Sequence, residues 1–170
     1  MLGYFIILFG AMLRVIPHPA NFAPIAALAL FGGVYLNKKQ ALILPILAMV
    51  ASDIFIGFDS LPSRLSVYGC FLLIGVIGLW VGRHKNMATV ISGSLLGSIL
   101  FYLITNFVFI YSTSLYPHTW QGLVASYINA IPFFRSTLLG DLFFTAVFFG
   151  AYELVQILVN RKKYATNHSR

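Results

Sequence analysis

Charged residues, and acidic ones above all, are scarce in this chain. Of its 170 residues, 4 are Asp or Glu and 11 are Lys or Arg, so only 9% are charged. Hydrophobic residues make up 59%, and the mean hydropathy is +0.89. Such a composition suits lipid rather than water. It argues against a soluble domain and predicts an all-α membrane protein, with residues 1–170 forming a single transmembrane helical domain.

Cysteine is almost absent too, and the usual catalytic motifs do not occur. The single cysteine, Cys70, excludes an internal disulfide and any cysteine-based zinc cluster. The sequence contains no Gly-rich phosphate loop, nucleophile elbow or His-Glu-x-x-His motif. Basic and aromatic residues are not interleaved as nucleic-acid binding would require. We therefore expect no enzyme activity, no cofactor, no nucleic-acid partner and no built-in ATP-driven pump.

Long apolar runs fill most of the chain. Each is roughly long enough for a spanning helix, the first two only marginally. They cover residues 2–16, 22–36, 41–57, 66–82, 88–111 and 136–158. The connection over 112–135 contains an apolar stretch at 122–131 that is too short to cross a bilayer. The pattern predicts about six transmembrane helices, with an interfacial or re-entrant segment before the last one.

Basic residues are distributed unevenly between the two sides of this six-span arrangement. One side holds Lys38, Lys39, Arg83, Lys85, Arg161, Lys162, Lys163 and Arg170, and the other holds Arg14, Arg64 and Arg135. Because cytoplasmic loops carry the excess of Lys and Arg, the pattern places both termini in the cytoplasm. We expect a multi-pass protein of the bacterial inner (cytoplasmic) membrane. Residues 159–170 would form a basic cytoplasmic tail that contacts anionic lipid.

The first apolar run ends in a cluster of polar and turn-forming residues, Arg14-Val-Ile-Pro-His-Pro-Ala-Asn-Phe22. Arg14 near the end of an apolar segment needs a partner or a polar cavity. Pro17 and Pro19 lack a backbone N–H and disfavour helix at the residue before each of them. His18 is therefore expected on a rigid corner, with Asn21 close behind it.

Polar residues recur at one depth in four of the predicted spans. Arg14, Asp53, Asn106 and Asp141 all fall in the outer third of the bundle, so that Arg14 beside Asp53 or Asp141 would satisfy both charges. This layer is either an ion-pair clamp between helices or a ligand pocket. The candidate ligand-binding residues are Arg14, His18, Asn21, Asp53, Asn106, Tyr116, Arg135 and Asp141. For Tyr116 the aromatic belt at the membrane interface is an equally ordinary role.

Cys70 falls at the same outer depth, near the start of the fourth span. Its thiol is a candidate metal ligand only if the solute is a corrinoid, since sulfur is a soft ligand suited to cobalt. A small packing residue is the alternative role for a lone cysteine in a membrane helix.

The polar motifs also carry a resemblance that spans nearly the whole chain. Residues 14–22, Ser52-Asp53 with Gly57-Phe58, and the stretch from Ile131 to Asp141 resemble a family of small, largely uncharacterised bacterial integral membrane proteins. The size, the six-span plan and the outward polar pocket are more remotely similar to the substrate-binding S-components of energy-coupling factor vitamin transporters, including the cobalamin-uptake type. The Ala-x-x-x-Ala pattern with which many S-components dock their coupling subunit is absent from residues 1–16.

These observations lead to two hypotheses from different classes. In the first, the protein captures a vitamin or cofactor-like solute, such as cobalamin, in a pocket open to the outer side, with residues 112–135 as a lid. Its partners would be the solute, the lipid bilayer and either an energising transporter subunit or further copies of itself. In the second, it is a structural or assembly protein whose charged layer only locks the helices together.

Overall fold

The computed structural model describes residues 2–17, 19–112 and 114–167. All regular secondary structure in this part of the chain is helical, and short loops join the helices. Its six α-helices are α1 (Leu2–Val15), α2 (Ile25–Tyr35), α3 (Lys38–Ile56), α4 (Leu61–Arg83), α5 (Met87–Ser112) and α6 (Trp120–Asn167). No strand occurs among the described residues. The helices run alternately up and down in one bundle, which agrees with the all-α architecture predicted from the apolar runs.

Helix α2 forms the centre of the bundle. It packs against each of the other helices, and every residue from Ile25 to Gly33 is buried. A helix that is apolar all round belongs in a protein interior rather than at a lipid surface. With 11 residues it is about 16 Å long, which is too short to cross a bilayer. The sequence predicted a marginal span over 22–36, whereas the structure shows a short buried helix.

Glycines allow α2 to lie very close to α4. A β-carbon on Gly33 would lie 2.5 Å from the carbonyl oxygen of Gly75, and one on Gly78 would lie 2.5 Å from that of Leu30. Only glycine fits where two backbones approach so closely. On the other face of α4, Gly97 of α5 packs against Ile74. Two Gly-x-x-x-Gly patterns, Gly78–Gly82 in α4 and Gly93–Gly97 in α5, therefore serve packing inside the bundle.

Much of the bundle's outer surface is apolar. Large hydrophobic side chains such as Phe5, Phe55, Leu65 and Leu139 are more than half exposed, far beyond what a soluble monomer tolerates in contiguous patches. Four helices are long and apolar enough to cross a membrane: α3, α4, α5 and α6. These features suggest a membrane protein.

Helix α6 differs from the prediction. Its 48 residues run without interruption from Trp120 to Asn167, so the segment predicted before the last helix is continuous with that helix and is not a separate element. Of the described residues in the predicted connection, only 114–119 lie outside a helix. The connection ends at Trp120, soon after Pro117, and not near Arg135 as the polar residues there had indicated. At the other end, the basic stretch from 159 to 167 continues the helix.

The first turns of α6, residues 120–131, form an arm that crosses over the end of α5. The Ser98 hydroxyl of α5 donates to the Asp141 carboxylate of α6. Eight residues further along α5, the Asn106 carbonyl accepts from the Ser126 hydroxyl of the arm. Eight residues of α5 advance about 12 Å, whereas the fifteen residues of α6 between the two contacts would advance about 22 Å if straight and parallel. The arm must therefore run obliquely. Pro132, which lacks the N–H for a helical hydrogen bond, lies between the two contacts, where the helix can bend.

Basic residues lie at the end of the bundle opposite the arm, hereafter the basic end. Lys38 begins α3 and Arg83 ends α4. Lys85 forms an ion pair with Glu153 of α6, and the Tyr35 hydroxyl donates to the same carboxylate at 2.5 Å. These contacts tie α2, the α4–α5 loop and α6 together.

Candidate functional site

Two adjoining cavities lie at the end of the bundle opposite the basic end, hereafter the cavity end. The Asp141 cavity has a volume of about 470 Å³ and the Asn106 cavity about 550 Å³. Both are lined by Asn21, Val67, Phe101 and Thr137. The Asp141 cavity lies above the first residues of α2, Ile25 and Ala26. With 11 residues, α2 is about half as long as α3 and α4, which have 19 and 23 residues. The centre of the bundle is therefore left open above the start of α2.

Arg14 lies on the wall of the Asp141 cavity and is held by α3. Its Nη1 atom donates to Asp53 Oδ1 at 2.6 Å and also to the Ser52 hydroxyl. The second carboxylate oxygen of Asp53 accepts from the Tyr68 hydroxyl of α4 at 2.5 Å. Of the two partners that the sequence left open for Arg14, the structure selects Asp53. The network closes α1, α3 and α4 around one buried charge pair.

Asp141 lies on the opposite wall, where α6 faces α5. It is only 3% exposed. Its Oδ2 atom accepts from the Ser98 hydroxyl at 2.7 Å, and nearby the Thr145 hydroxyl donates to Ser94 at 3.3 Å. In the described part of the chain no Lys, Arg or His lies within ion-pair distance of Asp141. Among the described residues, Asp141 is thus a buried carboxylate in a cavity wall with no cationic partner.

The Asn106 cavity is lined largely by neutral polar groups. The Asn106 amide donates to the Tyr102 carbonyl at 2.8 Å, and Asn129 of the arm donates to the Tyr116 hydroxyl at 3.0 Å. Both Asn106 and Tyr116 line this cavity, as the sequence prediction for a pocket requires. Exposed Asp59 lies at its edge. The cavity therefore offers many hydrogen-bonding groups and little charge.

Asn21 joins the two cavities and has a special backbone conformation. Its φ of 61° lies in the left-handed region, which Asn tolerates better than most residues. Together with Pro17 it forms the corner between α1 and α2, and it lines both cavities. A non-helical corner therefore joins α1 to α2 and places Asn21 at the junction of the two cavities, while the predicted position of His18 on this corner lies outside the described residues.

Two of the candidate residues line neither cavity, and a third lies outside the described residues. Arg135 is exposed and lines neither of them. His18 lies outside the described residues. Cys70 is fully buried in α4 and also lines neither cavity, so cobalt ligation by its thiol stays a prediction with no described cavity beside it. The described residues contain no group of three or more His, Cys, Asp or Glu positioned to hold a metal ion.

Several cavity residues escaped the sequence reasoning. Tyr68 and Ser98 hold the two buried carboxylates, but each lies on a different helix from its partner, so no local spacing reveals the contact. Thr137 could have been found, since it precedes Asp141 by four residues and therefore shares its helix face. In the sequence, Phe71 and Phe101 do not differ from the other apolar residues of the predicted membrane spans.

Comparison with known families settles the chain's relationship, though not its activity. A family model matches residues 1–165. The chain belongs to DUF6580, a family of unknown function. Comparison with curated proteins and with solved structures gives no significant match. Membership in DUF6580 agrees with the resemblance to an uncharacterised family, and the likeness to S-components stays a proposal.

Proposed function

We propose that this protein is a membrane-embedded solute-binding and uptake protein that captures a small vitamin or cofactor-like molecule from the outer side of the bacterial inner membrane. The observation that supports this most is the pair of adjoining cavities, about 470 and 550 Å³. Small-molecule sites usually have volumes of about 300–1,000 Å³, mostly apolar walls and a few convergent polar groups. A protein whose charged layer only locked the helices would have a packed centre instead.

The proposed site draws its polar groups from helices that are far apart in sequence. Arg14 comes from α1, Asp141 from α6 and Asn106 from α5, while Phe71 and Phe101 supply apolar wall. A site assembled from several rigid helices holds its groups in place before the solute arrives, which lowers the entropic cost of binding.

The orientation of the protein follows from its basic end. With the basic end in the cytoplasm, as the positive-inside rule favours, both cavities would face the outer side. Solute would enter from there, and both termini would be cytoplasmic. By analogy with S-components, a separate membrane subunit would then supply the energy for release to the inside.

The arm of α6 is suited to act as a lid. Its residues Ser126, Asn129 and Ala130 line the Asn106 cavity, and Pro132 provides a point at which the helix can bend. Lids that close over bound small molecules commonly move about a few residues at the end of an element. Movement of the arm away from α5 would open the Asn106 cavity without disturbing the Asp141 wall.

Native mass spectrometry of protein extracted gently from its own host membrane tests this proposal. We expect a small-molecule adduct at one copy per chain, and we expect it to be lost in Ala23→Phe, because the added ring fills the Asp141 cavity. Ala151→Phe, on the exposed surface of α6 far from both cavities, is the matched control and should keep the adduct. An adduct that persists in Ala23→Phe would place the bound molecule elsewhere.

The structural alternative has one observation in its favour. The Arg14–Asp53 pair joins α1 to α3, and Tyr68 of α4 bonds the same carboxylate, as a clamp would require. If repeated preparations carry only lipid, together with protein partners of defined mass, the assembly function replaces the uptake function.

A further inference from the structure

The cavity walls carry an excess of negative charge. Among the described residues that line the two cavities, Arg14, Asp59 and Asp141 are the charged ones. Two more cations at this end, Arg64 and Arg135, line neither cavity. The Arg64 guanidinium instead lies over the Phe58 ring, 4.8 Å from its centroid. The charge preference of the site therefore depends on how well each of the three lining charges is already neutralised.

The charge of Arg14 is already matched within the protein. Asp53 neutralises it at 2.6 Å, and the arginine side chain is only 17% exposed. The carboxylate of Asp53 is in turn held by Tyr68. An anionic solute would have to compete with a built-in carboxylate for the guanidinium, at the cost of leaving Asp53 buried without a cation.

Asp141 is in the opposite situation. Ser98, its hydrogen-bond partner, also lies 3.1 Å from the Ser94 carbonyl, so its one hydroxyl proton is shared between two acceptors. A carboxylate removed from water needs a cation or several donors to offset the loss of hydration. From the described residues the carboxylate receives one shared hydroxyl, and the cavity leaves room for a cation to approach.

We propose that the solute is an organic cation whose positively charged nitrogen pairs with Asp141 while its apolar or aromatic body lies against Phe71 and Phe101. This inference rests on the proposed solute-binding function and names the class of solute. The two rings stack with centroids 5.7 Å apart and both line the Asp141 cavity. Ring faces also attract cations, so the aromatic wall and the carboxylate favour the same charge. A protonated amine, an amidinium or a quaternary ammonium group on a compact body meets these requirements.

A set of three probes with one body and different charges tests the inference. Phenethylamine is the cation, phenethyl alcohol the neutral compound and hydrocinnamate the anion. Binding of each to the purified full-length protein would be measured by ligand-detected NMR titration. We expect the cation to bind at least about tenfold more tightly than either other probe, the lower range for a charge-assisted hydrogen bond.

Two variants locate the preference. Asp141→Asn keeps the shape of the side chain and removes its charge, so the cation should lose its advantage of about tenfold. Glu153→Gln removes a carboxylate from the basic end of the bundle, outside the lining of both cavities, and should leave the preference unchanged. Equal affinities for the three probes, or a cation preference that survives Asp141→Asn, would overturn the inference. The selectivity of the wild-type protein decides the question even if Asp141→Asn does not fold.

The outcomes separate this inference from the function on which it rests. Tight binding of the neutral or anionic probe would reject the cationic class and leave solute binding intact. If no probe binds, the molecule found by native mass spectrometry decides: a cation supports the inference, and a neutral or anionic compound rejects it. If neither experiment finds a small molecule, both the inference and the proposed function fail.

Discussion

Arg14 shows how a charged residue can be retained in an apolar helix. Alone it would be costly to bury, but Asp53, Ser52 and Tyr68 supply a counter-charge and hydrogen bonds around it. Its relation to the cavity is therefore indirect, because the guanidinium forms part of the wall while its charge is already matched. Asp141, buried with a single shared hydroxyl, has the opposite balance.

We expect the Arg14–Asp53 pair to stabilise the fold, and substitution of one partner tests this. Asp53→Asn removes the counter-charge of the part-buried Arg14 guanidinium, so we expect the free energy of unfolding to fall by about 1.5–3 kcal/mol, the range for a hydrogen bond to a charged group. Thermal unfolding of the purified protein in detergent measures the change.

The double variant Arg14→Met/Asp53→Asn is the control for that experiment. It removes both charges together, so it should recover much of the lost stability. A double variant no more stable than Asp53→Asn would show that the pair contributes little and that the loss has another cause.

At the scale of elements, the close crossing of α2 and α4 depends on glycines, which have no side chain at the contact. The backbones meet at Gly33 and Gly78, where an added β-carbon would collide with backbone atoms rather than with a flexible side chain. Backbone cannot move aside cheaply in a packed bundle, since interiors are already dense. This crossing also fixes the position of α2 and with it the floor of the Asp141 cavity.

Gly78→Ala should consequently push the two helices apart. We expect it to destabilise the protein by about 1–3 kcal/mol, as overpacking does, and to weaken solute binding because the cavity floor shifts. Gly69→Ala is the matched control on the same helix, since an added β-carbon there meets nothing within 4 Å. Equal thermal stabilities of the two variants would contradict the close crossing.

Helix α6 illustrates why a sequence can hide an element. The stretch over 122–131 was too short for a span by itself, so the sequence placed it in the connection before the last helix. In the structure the arm gains hydrogen bonds to α5, including Ser126 to the Asn106 carbonyl and Tyr127 to the Leu103 carbonyl. These contacts hold a helical segment that local propensity would not have predicted, and the proline bends the helix without ending it.

At the scale of the whole molecule, the two ends of the bundle differ in charge and in packing. The basic end is closed by the Tyr35–Glu153–Lys85 cluster, whereas the cavity end is open above α2. This asymmetry gives the molecule a direction, and the proposed uptake requires that the open end face outward.

Cysteine labelling tests this direction. In a Cys70→Ala background, a membrane-impermeant maleimide should label Ser114→Cys, at the cavity end, in intact cells. Lys39→Cys, at the basic end, should react only after the cells are permeabilised. Both native residues are exposed, so differences in burial do not confound the comparison. The reverse labelling pattern would place the cavities in the cytoplasm and exclude uptake from the outer side.

The sequence alone determined the helical class and the depth of the polar layer, because composition and the lengths of apolar runs depend only on local chemistry. It also marked Arg14, Asn21, Asp53, Asn106, Tyr116 and Asp141 as residues to examine. Tertiary structure decided that Arg14 pairs with Asp53, that Asp141 keeps no cation among the described residues, and that short α2 is central. These outcomes depend on distances between helices, which the order of residues along one helix does not specify. The cavity results from the same cause, since it exists only where the central helix begins below its neighbours.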